Sequence, residues 1–257
     1  FGSSVALDGT VAVIGAPGAG LQAAMPIQAN RGFAYVFNTA TGARLHTLAA
    51  SDWAFNDNFG SAVAVKGDDV LIGAPDVDYN GGVTYGGGKA YVYDLTTGAE
   101  RFILSNPTPA IQDFFGLRVS ITDDYFVVAS PNDDDVTAGS GSIYLFNRST
   151  GAFVRKVLAN PSSGGGAFGL RHSVSGEVLL ERQDYDGTSF GFYDLATGSR
   201  TELVSDPTVY GIPAWKGNIL LVGRATTDAP DSTEPAPTEP PVAGAEVYDD
   251  PVCQALR

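Results

Sequence analysis

Two histidines, one cysteine and twenty-nine carboxylates are the groups that could do chemistry in this chain. His46 and His172 stand far apart, each in a strand-like context. Neither belongs to a metal-spaced histidine pair, and the sequence holds no Gly-x-Ser-x-Gly elbow and no phosphate-cradling glycine loop. Cys253 has no second cysteine to pair with, which excludes an internal disulfide and a cysteine-rich zinc site. It is either a bystander thiol or a bond to another chain. The expectation is therefore no catalysis. A glycan-cleaving pair, two carboxylates roughly 5 to 10 Å apart in a cleft, is the enzymatic alternative.

Asp76-Val77-Asp78-Tyr79-Asn80-Gly81 places oxygen side chains at alternate positions before a glycine, as a calcium loop does. Asp76, Asp78 and Asn80 are the metal ligands this pattern predicts, although Gly87 occupies the place of the closing bidentate glutamate. A solvated turn is the other reading. Similar acidic runs stand at Asn132 to Asp135 and Asp184 to Gly187. No other cofactor is expected. Arg118 and Arg171 share one repeat position, where they either bind an anion or pair with structural carboxylates.

Aromatic residues beside carboxylates suit stacking on sugars or anchoring a protein partner. Trp53, Phe55, Tyr79, Tyr85 and Phe114 stand beside Asp52, Asp57 and Asp113 in long connecting segments, and these are the candidate ligand-binding residues. For Phe55 and Phe114 the alternative is packing between neighbouring repeat units.

The positioning elements follow from a repeat. Phe1-Gly2-Ser3-Ser4-Val5-Ala6 returns as Phe59-Gly60-Ser61-Ala62-Val63-Ala64 and as Phe115-Gly116-Leu117-Arg118-Val119-Ser120. Weaker copies open at Phe168 and Tyr210. Each opening leads to a β-branched run ending in Gly15-Ala16-Pro17, Gly73-Ala74-Pro75 or Ala129-Ser130-Pro131. An aromatic run closing in Thr-Gly comes next, at Thr41-Gly42, Thr97-Gly98, Thr150-Gly151 and Thr197-Gly198. Val5 and Leu7, then Val11 and Val13, alternate with period two, the signature of half-buried strands. Four short strands per unit, repeated at this length, describe propeller blades.

These residues resemble the FG-GAP repeat of integrin α-chain propellers and many bacterial exported proteins. The resemblance implies an all-β fold, a β-propeller of about five four-stranded antiparallel blades at about 1–58, 59–114, 115–167, 168–209 and 210–257. It also implies a secreted, periplasmic or cell-surface location. Calcium-binding members carry their metal loop between the first two strands of a blade. Asp8-Gly9 and Lys66 to Asp69 are too short for that, so those sites are not carried over.

Turns between strands one and two, and three and four, are short in every unit. The long connections, between strands two and three and between blades, emerge together in such a meander and predict one variable recognition face. Thr226 to Gly244, rich in proline, threonine and acid, reads as an extended mobile loop on that face. Asn147-Arg148-Ser149 is a formal glycosylation sequon at a turn-capping position.

Fifteen basic against twenty-nine acidic residues give a net charge of −14, which disfavours nucleic acid and anionic lipid as partners. The longest mostly apolar window, residues 11–27, is broken by Pro17 and Pro26, so direct membrane insertion is not expected. The sequence thus predicts a binding or adhesion module for a protein or glycan. A structural subunit of a larger extracellular assembly is the alternative.

Overall fold

A computed structural model of the chain describes residues 1–20, 31–79, 85–159, 167–170, 172–182, 189–205, 209–216, 219–224 and 245–248. Asn80, Arg171, Cys253, the acidic run at 184–187 and the Pro/Thr/Glu-rich segment at 226–244 lie outside the described residues. The chain divides into two compact units, residues 1–170 and 171–257. All regular structure among the described residues is β-strand, in four four-stranded sheets and one three-stranded sheet. Among the described residues no helix is long and apolar enough to cross a membrane.

The first unit holds three propeller-like blades, each an antiparallel meander. Blade one consists of β1 (Ser4–Asp8), β2 (Val11–Ala16), β3 (Phe33–Asn38) and β4 (Arg44–Leu48). Blade two consists of β5 (Ala62–Lys66), β6 (Asp69–Ala74), β7 (Lys89–Asp94) and β8 (Glu100–Ser105). Blade three consists of β9 (Arg118–Ile121), β10 (Tyr125–Ser130), β11 (Ser142–Asn147) and β12 (Phe153–Leu158). The Thr-Gly turns are held from within by the side chain that ends each third strand. Asn38 Oδ1 accepts from the backbone N–H of Ala40 and Thr41, and Asp94 Oδ1 from that of Thr97. Asn147 Oδ1 accepts in the same way from Ser149 and Thr150, so its amide serves the turn.

Apolar side chains fill the space between consecutive blades. Val13, Val36 and Leu48 of blade one meet Val63, Val70, Ile72 and Tyr91 of blade two in one core. Leu71, Val92 and Leu104 meet Phe126, Val128 and Tyr144 in the next. In blades two and three the Phe of the Phe-Gly pair stands edge-on against two aromatics of its own third strand. Phe59 lies 5.4 Å from Tyr91 and 6.0 Å from Tyr93, and Phe115 lies 5.2 Å from Tyr144 and 6.0 Å from Phe146.

Glycine recurs at the blade junctions because two backbones touch there. A Cβ on Gly15 would stand 2.0 Å from the carbonyl oxygen of Gly60, which itself has φ +92°. The first glycine of Gly-Ala-Pro in one blade therefore lies against the glycine of Phe-Gly in the next. The third junction uses Ala129 instead, opposite Gly169.

The second unit holds a meander of β13 (His172–Ser175), β14 (Val178–Arg182), β15 (Ser189–Asp194) and β16 (Arg200–Ser205). Leu179, Phe192, Tyr193 and Leu195 are buried in it. It also holds a three-stranded sheet of β17 (Val209–Lys216), β18 (Ile219–Arg224) and β19 (Ala245–Tyr248).

Candidate functional site

The long connections of the first unit meet at one end of its blades. The β2–β3 connection touches the segment leading to β5 through a bridge between Gly32 and Phe59, and Gly141 and Phe168 repeat this two blades on. Between these, Gln112 N–H donates to Tyr85 O at 2.7 Å and Phe114 N–H to Gly86 O at 2.9 Å. Backbone bonds of this kind fix the β6–β7 connection against the segment before β9, while the segment before β5 is held by side chains, Ser51 N–H donating to Glu100 Oε2 and Ala54 N–H to Asp57 Oδ2.

Asp52, Trp53, Phe55 and Tyr79 come together around two cations. Lys89 Nζ lies 2.5 Å from Asp52 Oδ2 and 5.7 Å from the centre of the Tyr79 ring. Tyr91 donates to Asp52 Oδ1 at 2.8 Å. Burial pushes the Asp52 carboxyl up, but bonds from Lys89 and Tyr91 together with the lysine charge outweigh it and hold the group below its usual range. Arg31 lays its guanidinium carbon 4.0 Å from the centre of the Trp53 ring. Phe55 meets Trp53 edge-on at 6.2 Å and is 63 % exposed. Tyr79 is half-buried and donates to Gly88 O at 2.7 Å, and burial pushes its hydroxyl pKa up.

Tyr85 and Phe114 form a second group on the adjoining loop pair. Tyr85 is exposed, while Phe114 is partly buried with φ +52°, a conformation its bulky side chain disfavours. Asn58 holds the same repeat position at φ +55°.

Asp57 and Asp113 stand on these loops but turn inward, each 2 % exposed. Asp57 Oδ2 accepts from Ala54 N–H at 2.5 Å, and Asp113 Oδ2 accepts from Ala110 N–H at 2.7 Å and from Asn106 Nδ2 at 2.9 Å. Burial raises both carboxyls above their usual range despite those bonds. These two carboxylates hold the loops in shape, and a ligand arriving from solvent would meet other groups.

Of the predicted metal ligands, Asp76 Oδ2 accepts from Asn58 Nδ2 at 2.5 Å and Asp78 Oδ1 from Gly86 N–H at 3.0 Å. Asn80 lies outside the described residues. Among the described residues no three His, Cys, Asp or Glu side chains converge as a metal ion requires. His46 Nε2 lies 2.8 Å from Leu95 O, clasping β4 to the β7–β8 turn. Arg118 Nη1 donates to the neighbouring Leu117 O.

Sequence reasoning missed four cations that organise the first unit, Lys89, Lys156, Arg101 and Arg148. Lys89 precedes Tyr91 by two positions on β7 and so shares its face, which was the available signal. Lys156 reaches Asp133 at 2.7 Å and also pairs with Asp135, while Tyr144 donates to Asp133 at 2.5 Å. At the short-turn end, the buried Asp69 pairs with both Arg101 and Arg148 beside a cleft of about 280 Å³. Arg148 spends its remaining donors on Thr122 O and Lys66 O.

The FG-GAP repeat model matches residues 1–37, 44–93 and 108–146, which fall in the three blades that carry the aromatic loops. No curated protein matches the sequence. Among solved structures the chain is similar to the hydrazine synthase of Kuenenia stuttgartiensis, with a TM-score of 0.54 and 14 % identity. That likeness covers 86 % of this chain and 55 % of the other, so the chain spans about half of its length, and the shared property is the fold. Residues 1–146 of the chain belong to the FG-GAP repeat family.

Proposed function

We propose that the chain is a non-catalytic binding module of the extracellular space or cell surface. In this reading its five sheets are blades of one propeller, and its loop-rich face takes a protein or glycan. The observation that carries the reading is Trp53 and Phe55 left open on a loop held by Glu100 on Ser51 N–H, by Asp57 on Ala54 N–H and by the Gly32–Phe59 bridge at its end. Rigid, exposed aromatic rings cost little entropy to bury against a partner. The acidic side chain beside them, Asp52, is already paired with Lys89.

Biolayer interferometry against panels of oligosaccharides and purified extracellular proteins tests the proposal. A ligand should bind the wild-type chain and weaken at least about tenfold in Trp53→Ala, the loss expected for a central aromatic anchor. Binding insensitive to that change, or absent from both panels, would overturn it.

A further inference from the structure

Arg31 stands at the entry to β3 with its guanidinium between two aromatic faces, 4.0 Å from the centre of Trp53 and 5.4 Å from that of Phe33. Its Nε is buried and has no hydrogen-bond partner among the described residues. Arg101 and Arg148, by contrast, both reach a carboxylate. Arg44 and Arg118 likewise have no ion-pair partner among the described residues, but Arg31 differs from them in lying over two rings with a buried, unpartnered Nε. Asp52, next to Trp53 in sequence, is engaged by Lys89 and Tyr91 and does not compensate it. Ring stacking uses the face of a guanidinium and leaves its edge for an acceptor, and that edge matches a carboxylate.

Beyond Trp53, Phe55 presents an open ring, turned 84° to the indole. The site therefore offers a cationic edge beside an apolar wall at two angles. We propose that Arg31, Trp53 and Phe55 form a subsite for a hexuronic acid unit of an acidic glycan. The Arg31 edge takes the sugar carboxylate, while Phe55 and the uncovered part of Trp53 pack on the C–H face of the pyranose. The inference rests on the loop-rich face being a recognition surface and names its ligand class. A pyranose suits this wall because its carboxylate and apolar face are fixed relative to one another, so little entropy is lost on binding. An acidic peptide must order its chain to present the same two features. The surrounding acidic surface opposes every anion, so a sugar bringing a single carboxylate to the Arg31 edge is favoured over a sulfated uronate with more than one charge per sugar.

Calorimetric titration of the full chain with tetragalacturonate, its methyl ester and an oligoglutamate peptide tests this, using wild type, Arg31→Gln and Phe55→Ala. Expected are binding of tetragalacturonate, at least about tenfold weaker binding of the ester, and a similar loss in each variant with an unchanged unfolding midpoint, in line with removal of a charge-assisted contact or an aromatic anchor. Phe55 is exposed, so its variant reports even if Arg31→Gln fails to fold. Equal affinity for acid and ester, no tetragalacturonate binding, or preference for the peptide would overturn the inference. A neutral oligosaccharide or protein that binds and is lost in Phe55→Ala but not in Arg31→Gln overturns the uronate subsite and leaves the recognition reading standing. Binding of no ligand class at this face defeats both.

Discussion

Gly73 and Gly116 lie so close across the second blade junction that a Cβ on Gly73 would stand 1.8 Å from the Gly116 carbonyl oxygen. Gly116 N–H at the same time donates to Ala129 O within its own blade, so the carbonyl cannot retreat without breaking the sheet edge. Gly73→Ala should therefore cost about 2–3 kcal/mol in urea unfolding, the scale of an overpacked core. A change below about 0.5 kcal/mol would mean that the junction has slack.

Asp57 gives a pH signature. Its folded-state pKa is raised by burial, so the stability it contributes is present below the ordinary value of 3.8 and is lost as pH climbs through the raised one. Asp57→Asn keeps an oxygen for Ala54 N–H and removes the charge. The variant should gain stability relative to wild type as pH rises from about 4 to 7. Asp57→Ala leaves that donor unpaired and should lose about 1–3 kcal/mol. Chemical unfolding at several pH values checks both, and a pH-independent difference between wild type and Asp57→Asn would contradict the raised pKa.

Phe114 sits in a backbone conformation that asparagine adopts in the preceding blade. Phe114→Asn should accordingly stabilise the chain by up to about 1 kcal/mol, read from the urea midpoint. Destabilisation instead would show that the Phe114 ring packs more strongly than its backbone is strained.

Asp69 is the shared partner of Arg101 and Arg148. Asp69→Ala leaves two guanidinium groups facing each other at a half-covered site, and the loss should be about 3 kcal/mol after allowing for their partial exposure. The double change Asp69→Ala, Arg148→Ala should recover part of it in a thermodynamic cycle. Purely additive effects would deny the coupling.

The blades were legible because period-two alternation and paired glycines answer to local sterics that repeat with the sequence. Phe59, Phe115 and the Thr-Gly turns could be placed from spacing alone. The site was only half legible. Asp57 and Asp113 read as acidic loop residues, yet both precede a Phe-Gly phenylalanine by two positions and cap the same inward turn. That shared spacing was the clue to their burial. Arg31 on Trp53, and Lys89 between Asp52 and Tyr79, join residues of different connections, and such pairs depend on side-chain packing that no local pattern encodes.

The central claim is that the long loops of the first unit form the recognition face. Hydrogen–deuterium exchange of the full chain with and without a bound ligand from the interferometry panels tests it directly. The account predicts slowed exchange at residues 52–57 and 85–89 and no change in the short turns at 95–98 and 148–151. Protection confined to those short turns would contradict it.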